Sequence, residues 1–158
     1  MNPKFFVTSL AAMVMLSASI GIAASGVSLE GVKCLMVAKN DAKKEKASKW
    51  KDGKVYFCCD NCLAKYEKMS KEEKEKHAAS ANHQLVATKQ YAQQACPFSG
   101  KPVADDTQIK VSGAEIGFCC TNCKGTAEKM KDDEKVEKLF GEKAFKMAKF
   151  EVVKEKAE

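Results

Sequence analysis

Phe57-Cys58-Cys59-Asp60-Asn61-Cys62 returns later in the chain as Phe118-Cys119-Cys120-Thr121-Asn122-Cys123. The eight cysteines accordingly form two sets of four: Cys34, Cys58, Cys59 and Cys62, then Cys96, Cys119, Cys120 and Cys123. The second set is the first displaced by 61 or 62 residues (58 to 119, 34 to 96). Neighbouring residues keep the offset. Glu67-Lys68-Met69 falls on Glu128-Lys129-Met130, and Trp50, Val55 and Phe57 fall on Val111, Ile116 and Phe118. Similarity at a fixed period marks a tandem duplication, with one module over residues 31–93 and the other over 94–158.

Each module has the same expected order. Its first cysteine lies in a loop, clearest at Cys96-Pro97-Phe98-Ser99-Gly100. A short hairpin follows. In the first module Asp52-Gly53 reads as a two-residue turn between Trp50 and Phe57; in the second the turn falls near Ser112-Gly113. The Cys-Cys-x-x-Cys element ends the second strand, and a helix begins there with Asp60 or Thr121 as N-cap. A second helix follows. In the first module it starts at Ser70, with Glu73 completing a capping box. In the second module Val136, Leu139, Phe140, Met147 and Phe150 form an apolar stripe that reads as core. The expected fold class is α+β, built from two small repeated modules.

A module of about 60 residues buries too little apolar surface to be secure without a staple. Cysteines three or four apart, where a strand turns into a helix, can aim their sulfurs into one small volume. The free N–H groups of the helix start favour thiolate, which is the ligand form. Tetrahedral thiolate coordination suits Zn²⁺, and soft thiolates also suit Cu(I). All eight cysteines are therefore candidate metal ligands.

A cysteine, roughly twenty residues, then Phe-Cys-x3-Cys resembles the TRASH and YHS-type modules. These are treble-clef-like metal-binding domains proposed to act in metal sensing, trafficking or resistance. The resemblance implies Cys34, Cys58 and Cys62 as ligands in one module, and Cys96, Cys119 and Cys123 in the other. Cys96-Pro97-Phe98-Ser99-Gly100-Lys101-Pro102-Val103 is similar to the family's loop. Cys34-Leu35-Met36-Val37-Ala38-Lys39 departs from it, lacking Pro and Gly, and its gap to the next cysteine is one residue longer. Cys59 and Cys120 are additional: either fourth ligands or small packed thiols. His77 and His83 occur only in the first module and align with Ala144 and Phe150, so a site common to both modules does not need them.

Residues Phe5 to Ala24 carry no charge, follow Lys4, and end in small side chains. That pattern is a secretory signal over residues 1–24, cut near Ala24, with an uncleaved membrane anchor as the alternative. A periplasmic or secreted location is expected. The net charge is +6, and all 27 basic residues are lysine. Arginine, the favoured residue for bidentate phosphate and base recognition, is absent, which argues against a nucleic-acid partner. The lysines read as solvated faces laced with pairs such as Glu72 to Lys76.

Two other classes compete with a metal protein. An even cysteine count in an exported chain also suits disulfides, for example Cys34 to Cys62. Cys59-Asp60-Asn61-Cys62 and Cys120-Thr121-Asn122-Cys123 also read as redox C-x-x-C motifs, but a thioredoxin-like site needs a βαβ framework that neither module supplies. No Gly-rich phosphate loop or haem-attachment motif occurs. The expectation is a non-enzymatic, exported metal-binding protein whose ion is either structural or cargo.

Overall fold

A computed structural model describes residues 27–153. The expected signal segment lies outside the described residues. Among them, no helix is long and apolar enough to cross a membrane.

The chain is α+β. An antiparallel hairpin, β1 (Lys43–Trp50) with β2 (Gly53–Phe57), leads into α1 (Asp60–Glu67), α2 (Lys71–Glu75) and α3 (Ala78–Ala87). A short strand follows, β3 (Tyr91–Ala92). The order then repeats: hairpin β4 (Ile109–Val111) with β5 (Ala114–Ile116), helices α4 (Thr121–Glu128), α5 (Asp132–Phe140) and α6 (Glu142–Met147), and strand β6 (Glu151–Val152).

Matching backbone bonds accompany this repeated order and locate the extra residue of the first cysteine loop. Lys43 pairs with Phe57, as the Ala104 N–H bonds the Phe118 carbonyl at 2.8 Å, so both spans are equal (57 − 43 and 118 − 104). The difference lies earlier. The Cys34 N–H reaches the Asn40 carbonyl, six residues on, whereas the Cys96 N–H reaches Lys101, five residues on; both bonds are 2.8 Å. Gly100 closes the shorter loop with φ +68°, a left-handed conformation that costs glycine little. The first loop has no left-handed residue between Cys34 and Asn40, and it takes one more residue to turn.

Three local expectations need correction. Trp50 stands opposite Gly53, so the first hairpin turns on Lys51-Asp52, with Lys51 at φ +50°, one residue before the expected pair. Gly53 belongs to the strand, and it is small because α3 comes close: a Cβ there would sit 2.6 Å from Leu85 Cδ2. The second hairpin does turn on Ser112-Gly113, both with positive φ as a type I′ turn requires. The N-caps of α1 and α4 are Cys59 and Cys120, with Asp60 and Thr121 one position inside. Asp60 instead favours the helix start by charge and pairs with Lys46 at 2.6 Å. The stripe from Val136 to Phe150 is not one helix, because the chain leaves the helical region at Gly141 (ψ 157°). Leu139, Phe140 and Phe150 are nonetheless buried.

The Ser70–Glu73 capping box forms as expected. Lys76 is the C-cap of the short α2, and Glu72 makes no ion pair with it.

The two repeats share a core. Leu85 and Val86 of α3 join Val111, Ile116, Phe118, Leu139 and Phe140 in one cluster; a smaller one gathers Cys34, Leu35, Val55, Phe57, Tyr66 and Ala81. Both α3 and α6 end in a left-handed lysine, Lys89 (φ 58°) and Lys149 (φ 49°). The next residue's N–H then reaches back to the helix, Gln90 to Leu85 and Phe150 to Phe145. β3 and β6 follow and pair with each other, Tyr91 with Val152 and Ala92 with Glu151. At the offset of 60 residues this pairing is its own mirror, so the repeats meet there about a local two-fold. Asn82, fully buried, fastens the junction. It accepts from Trp50 Nε1 at 2.9 Å and donates to the Phe140 carbonyl and Glu142 Oε1, each at 2.9 Å. Burial works against the charge on Glu142. The Asn82 amide and Lys51, 2.9 Å away, nevertheless hold its carboxyl below the usual range.

Candidate metal centres

Each repeat brings sulfurs together from three places: the first-cysteine loop, the end of the hairpin, and the first turn of the helix. Cys34, Cys58 and Cys62 have sulfurs within 4.8 Å of one another, and so have Cys96, Cys119 and Cys123. The Sγ–Sγ separation is 3.7 Å for Cys58–Cys62 and 3.8 Å for Cys119–Cys123. The extra cysteines stand alongside: Cys59 is 3.8 Å from Cys58, and Cys120 is 3.8 Å from Cys119. The loop cysteines are buried, the hairpin and helix cysteines half-buried, and Cys59 and Cys120 exposed. Each site thus has a covered floor and a sulfur at its mouth.

Two glutamines, which the sequence patterns did not single out, set the loop against the hairpin. Gln84 Oε1 accepts the Tyr56 N–H at 2.7 Å, and its Nε2 donates to the carbonyls of Tyr56 (3.1 Å) and Lys33 (2.6 Å). Gln93 does the same for the equivalent residues: Gly117 N–H at 2.7 Å, and the carbonyls of Gly117 (2.8 Å) and Ala95 (2.6 Å). Lys33 and Ala95 immediately precede the loop cysteines. Tyr56 and Gly117 stand two residues before the hairpin cysteines. One amide therefore fixes the spacing within each triad, supplied from α3 in the first repeat and from the linker ahead of the second. Being interchangeable in role but not in position, the two leave no repeat signal in the sequence.

The electrostatics favour thiolate at the two loop cysteines. Burial alone would raise the Cys34 thiol, yet the N–H groups of Cys58, Met36 and Val37 outweigh it and leave the thiol below its ordinary value. Burial of Cys96 is likewise outweighed, first by the Cys119 N–H, then by the Ser99 hydroxyl and the N–H groups of Phe98 and Ser99, and its thiol falls to about 7. Cys120 is lowered by the N–H of Cys123 and by its neighbouring thiols. Cys62 and Cys123 are pushed up to about 12 by burial, by the adjoining thiols, and by the charge of Cys34 or Cys96. Thiolates crowded this closely repel one another, and a cation among them removes that repulsion.

Neither histidine joins a triad. His77 is the N-cap residue of α3. His83 Nε2 lies 2.8 Å from the Val111 carbonyl, and its ring meets Phe140 edge-on with centroids 4.9 Å apart. Its burial lowers its pKa against the opposing effect of Val111. Its place is the junction between repeats. Asn40 and Ser99 touch the sites from the loops: Asn40 Nδ2 is 3.7 Å from Cys58 Sγ, and Ser99 Oγ is 3.1 Å from Cys119 Sγ.

Comparison with protein-family models, curated proteins and solved structures finds no match to this chain.

Proposed function

We propose that this protein is an exported metal-binding protein that holds one soft metal ion per repeat as cargo, Zn²⁺ with Cu(I) as the alternative. The sulfur spacing carries the reading. Four sulfurs around an ion at about 2.3 Å form a tetrahedron whose edges are about 3.8 Å. Two such edges stand in each repeat at 3.7–3.8 Å, Cys58–Cys62 and Cys58–Cys59, then Cys119–Cys123 and Cys119–Cys120, and the three cysteines of each triad lie within 4.8 Å of one another. The three mutually close cysteines of each repeat hold the ion, and Cys59 or Cys120, exposed beside them, turns inward as the fourth thiolate once the ion is bound. An exposed fourth ligand favours cargo over scaffold, since a purely structural zinc is usually enclosed. The loop, hairpin and helix order, with its resemblance to TRASH and YHS-type modules, supports a treble-clef-like site in metal buffering, delivery or resistance. The closed thiolate set leaves no coordination position for a substrate, and the protein is read as a carrier rather than an enzyme.

Titration of the reduced, metal-free protein against a chromophoric chelator is expected to saturate at two ions per chain. Cys62→Ser and Cys123→Ser should each saturate at one. Binding weaker than about micromolar at both sites would sink the reading.

A further inference from the structure

The two sites share a floor but differ at the mouth. Beside Cys58 and Cys59 lies a shallow cavity of about 450 Å³, lined also by Lys39, Asn40, Asp41 and Lys43. Asp41 is engaged by Lys33 at 2.5 Å, and Asp60, at the start of α1, by Lys46 at 2.6 Å. Lys39 and Lys43 are exposed and make no ion pair among the described residues. The mouth of this site therefore presents two free ammonium groups to solvent beside an exposed thiol.

The equivalent stretch of the second repeat reverses the sign. Asn40 corresponds to Lys101 and Lys43 to Ala104, as the shared backbone bonds establish. Residues 39–46 carry Lys39, Lys43, Lys44 and Lys46 against Asp41 and Glu45, a sum of +2. Residues 100–107 carry Lys101 against Asp105 and Asp106, a sum of −1. One fold thus displays the same sulfur cluster beside a lysine-rich stretch in the first repeat and beside a stretch without that excess in the second, where Lys124 Nζ meets the Asp106 carbonyl at 3.2 Å.

We propose that the first site is the loading site for a small anionic metal chelate, with Lys39 and Lys43 attracting the chelate and Cys59 making the first exchange. The inference rests on the metal-binding reading of the same cysteines. In the exchange, the Cys59 sulfur forms a bond to the metal as one carrier donor atom leaves. The proton of the incoming thiol passes to the departing donor or to water, and no electron is transferred. Cys58, Cys62 and Cys34 then replace the remaining carrier donors in turn. A cavity of this size admits a chelate of small-molecule dimensions. Fixed charge at a site mouth acts mainly on the rate of encounter, and it fades with salt.

The test uses stopped-flow loading of the reduced full chain at low salt with two donors, the singly negative zinc–nitrilotriacetate complex and aqueous Zn²⁺. Loading from the complex should show two phases, one per site. In Lys39→Glu/Lys43→Glu the faster phase should slow about tenfold, the other should be unchanged, and the loss should vanish at high salt. Loading from aqueous Zn²⁺ should not slow. Because both side chains are exposed, the variant should still bind two ions at equilibrium, which verifies its fold. Two ions bound with rates indifferent to the charge reversal, or slowed equally for both donors, would overturn the loading role alone. No binding at equilibrium in the unsubstituted chain would overturn the metal reading with it.

Discussion

Stripping the metal from the reduced protein is expected to lower its stability by several kcal/mol and to loosen the cysteine loops first. A ligand that binds only the folded state adds about 4 kcal/mol per site when free ligand exceeds Kd a thousandfold. The first loop is the less firmly packed of the two. Cys34 and Leu35 are tied by the Cys34–Asn40 and Leu35–Tyr56 backbone bonds and by Gln84 acting on Lys33. Their cluster is the smaller of the two, built around Val55, Phe57 and Tyr66. The larger cluster also takes in a triad, Cys96 with Cys119 and Cys123 against it, but surrounds it with Leu85, Ile116, Phe118, Leu139 and Phe140. Thermal unfolding followed by circular dichroism, with and without an excess of chelator, should show a large fall in midpoint. Amide exchange should accelerate in residues 32–42 before α3. Superimposable melts would show that the ion contributes nothing to the fold.

Asn82→Ala is expected to cost about 2–4 kcal/mol, a large loss for a single polar side chain. The side chain is fully buried and serves three partners at 2.9 Å. Truncation leaves the Trp50 indole N–H and the Phe140 carbonyl without their bonds, and each stranded buried group costs about 1–3 kcal/mol. It also frees Glu142 to move with Lys51, so the contact between the first hairpin and α6 weakens. Equilibrium denaturation reads this directly. Metal stoichiometry should stay at two, because Asn82 touches no cysteine. A loss below about 1 kcal/mol would mean that the repeats are not fastened at this residue.

The sulfur constellation was legible in the sequence because it depends on short spacings. Phe57-Cys58-Cys59 and Phe118-Cys119-Cys120 end a strand, and Cys62 and Cys123 complete the next helical turn, so local geometry alone converges them. The loop cysteines were legible through the repeat. What remained hidden depends on contacts far apart in the chain. Asp52-Gly53 has turn chemistry, yet the hairpin turns one residue earlier, because Gly53 is needed where α3 packs against β2. Cys59 and Cys120 take the N-cap positions that Asp60 and Thr121 suit by propensity, since bringing the sulfurs together fixes where the helix begins. His83, Asn82 and the pairing of β3 with β6 belong to the junction between repeats, and no periodicity within one repeat encodes it. Gln84 and Gln93 perform one task from unrelated positions, so comparison of the repeats cannot reveal them.

On the proposed function the eight cysteines hold metal rather than one another. Its most direct test is metal content and free thiols on protein purified from its native compartment without added metal. Two zinc or copper ions per chain are expected, with eight thiols that become titratable once a chelator removes the metal. No metal, with the thiols consumed as disulfides, would contradict it.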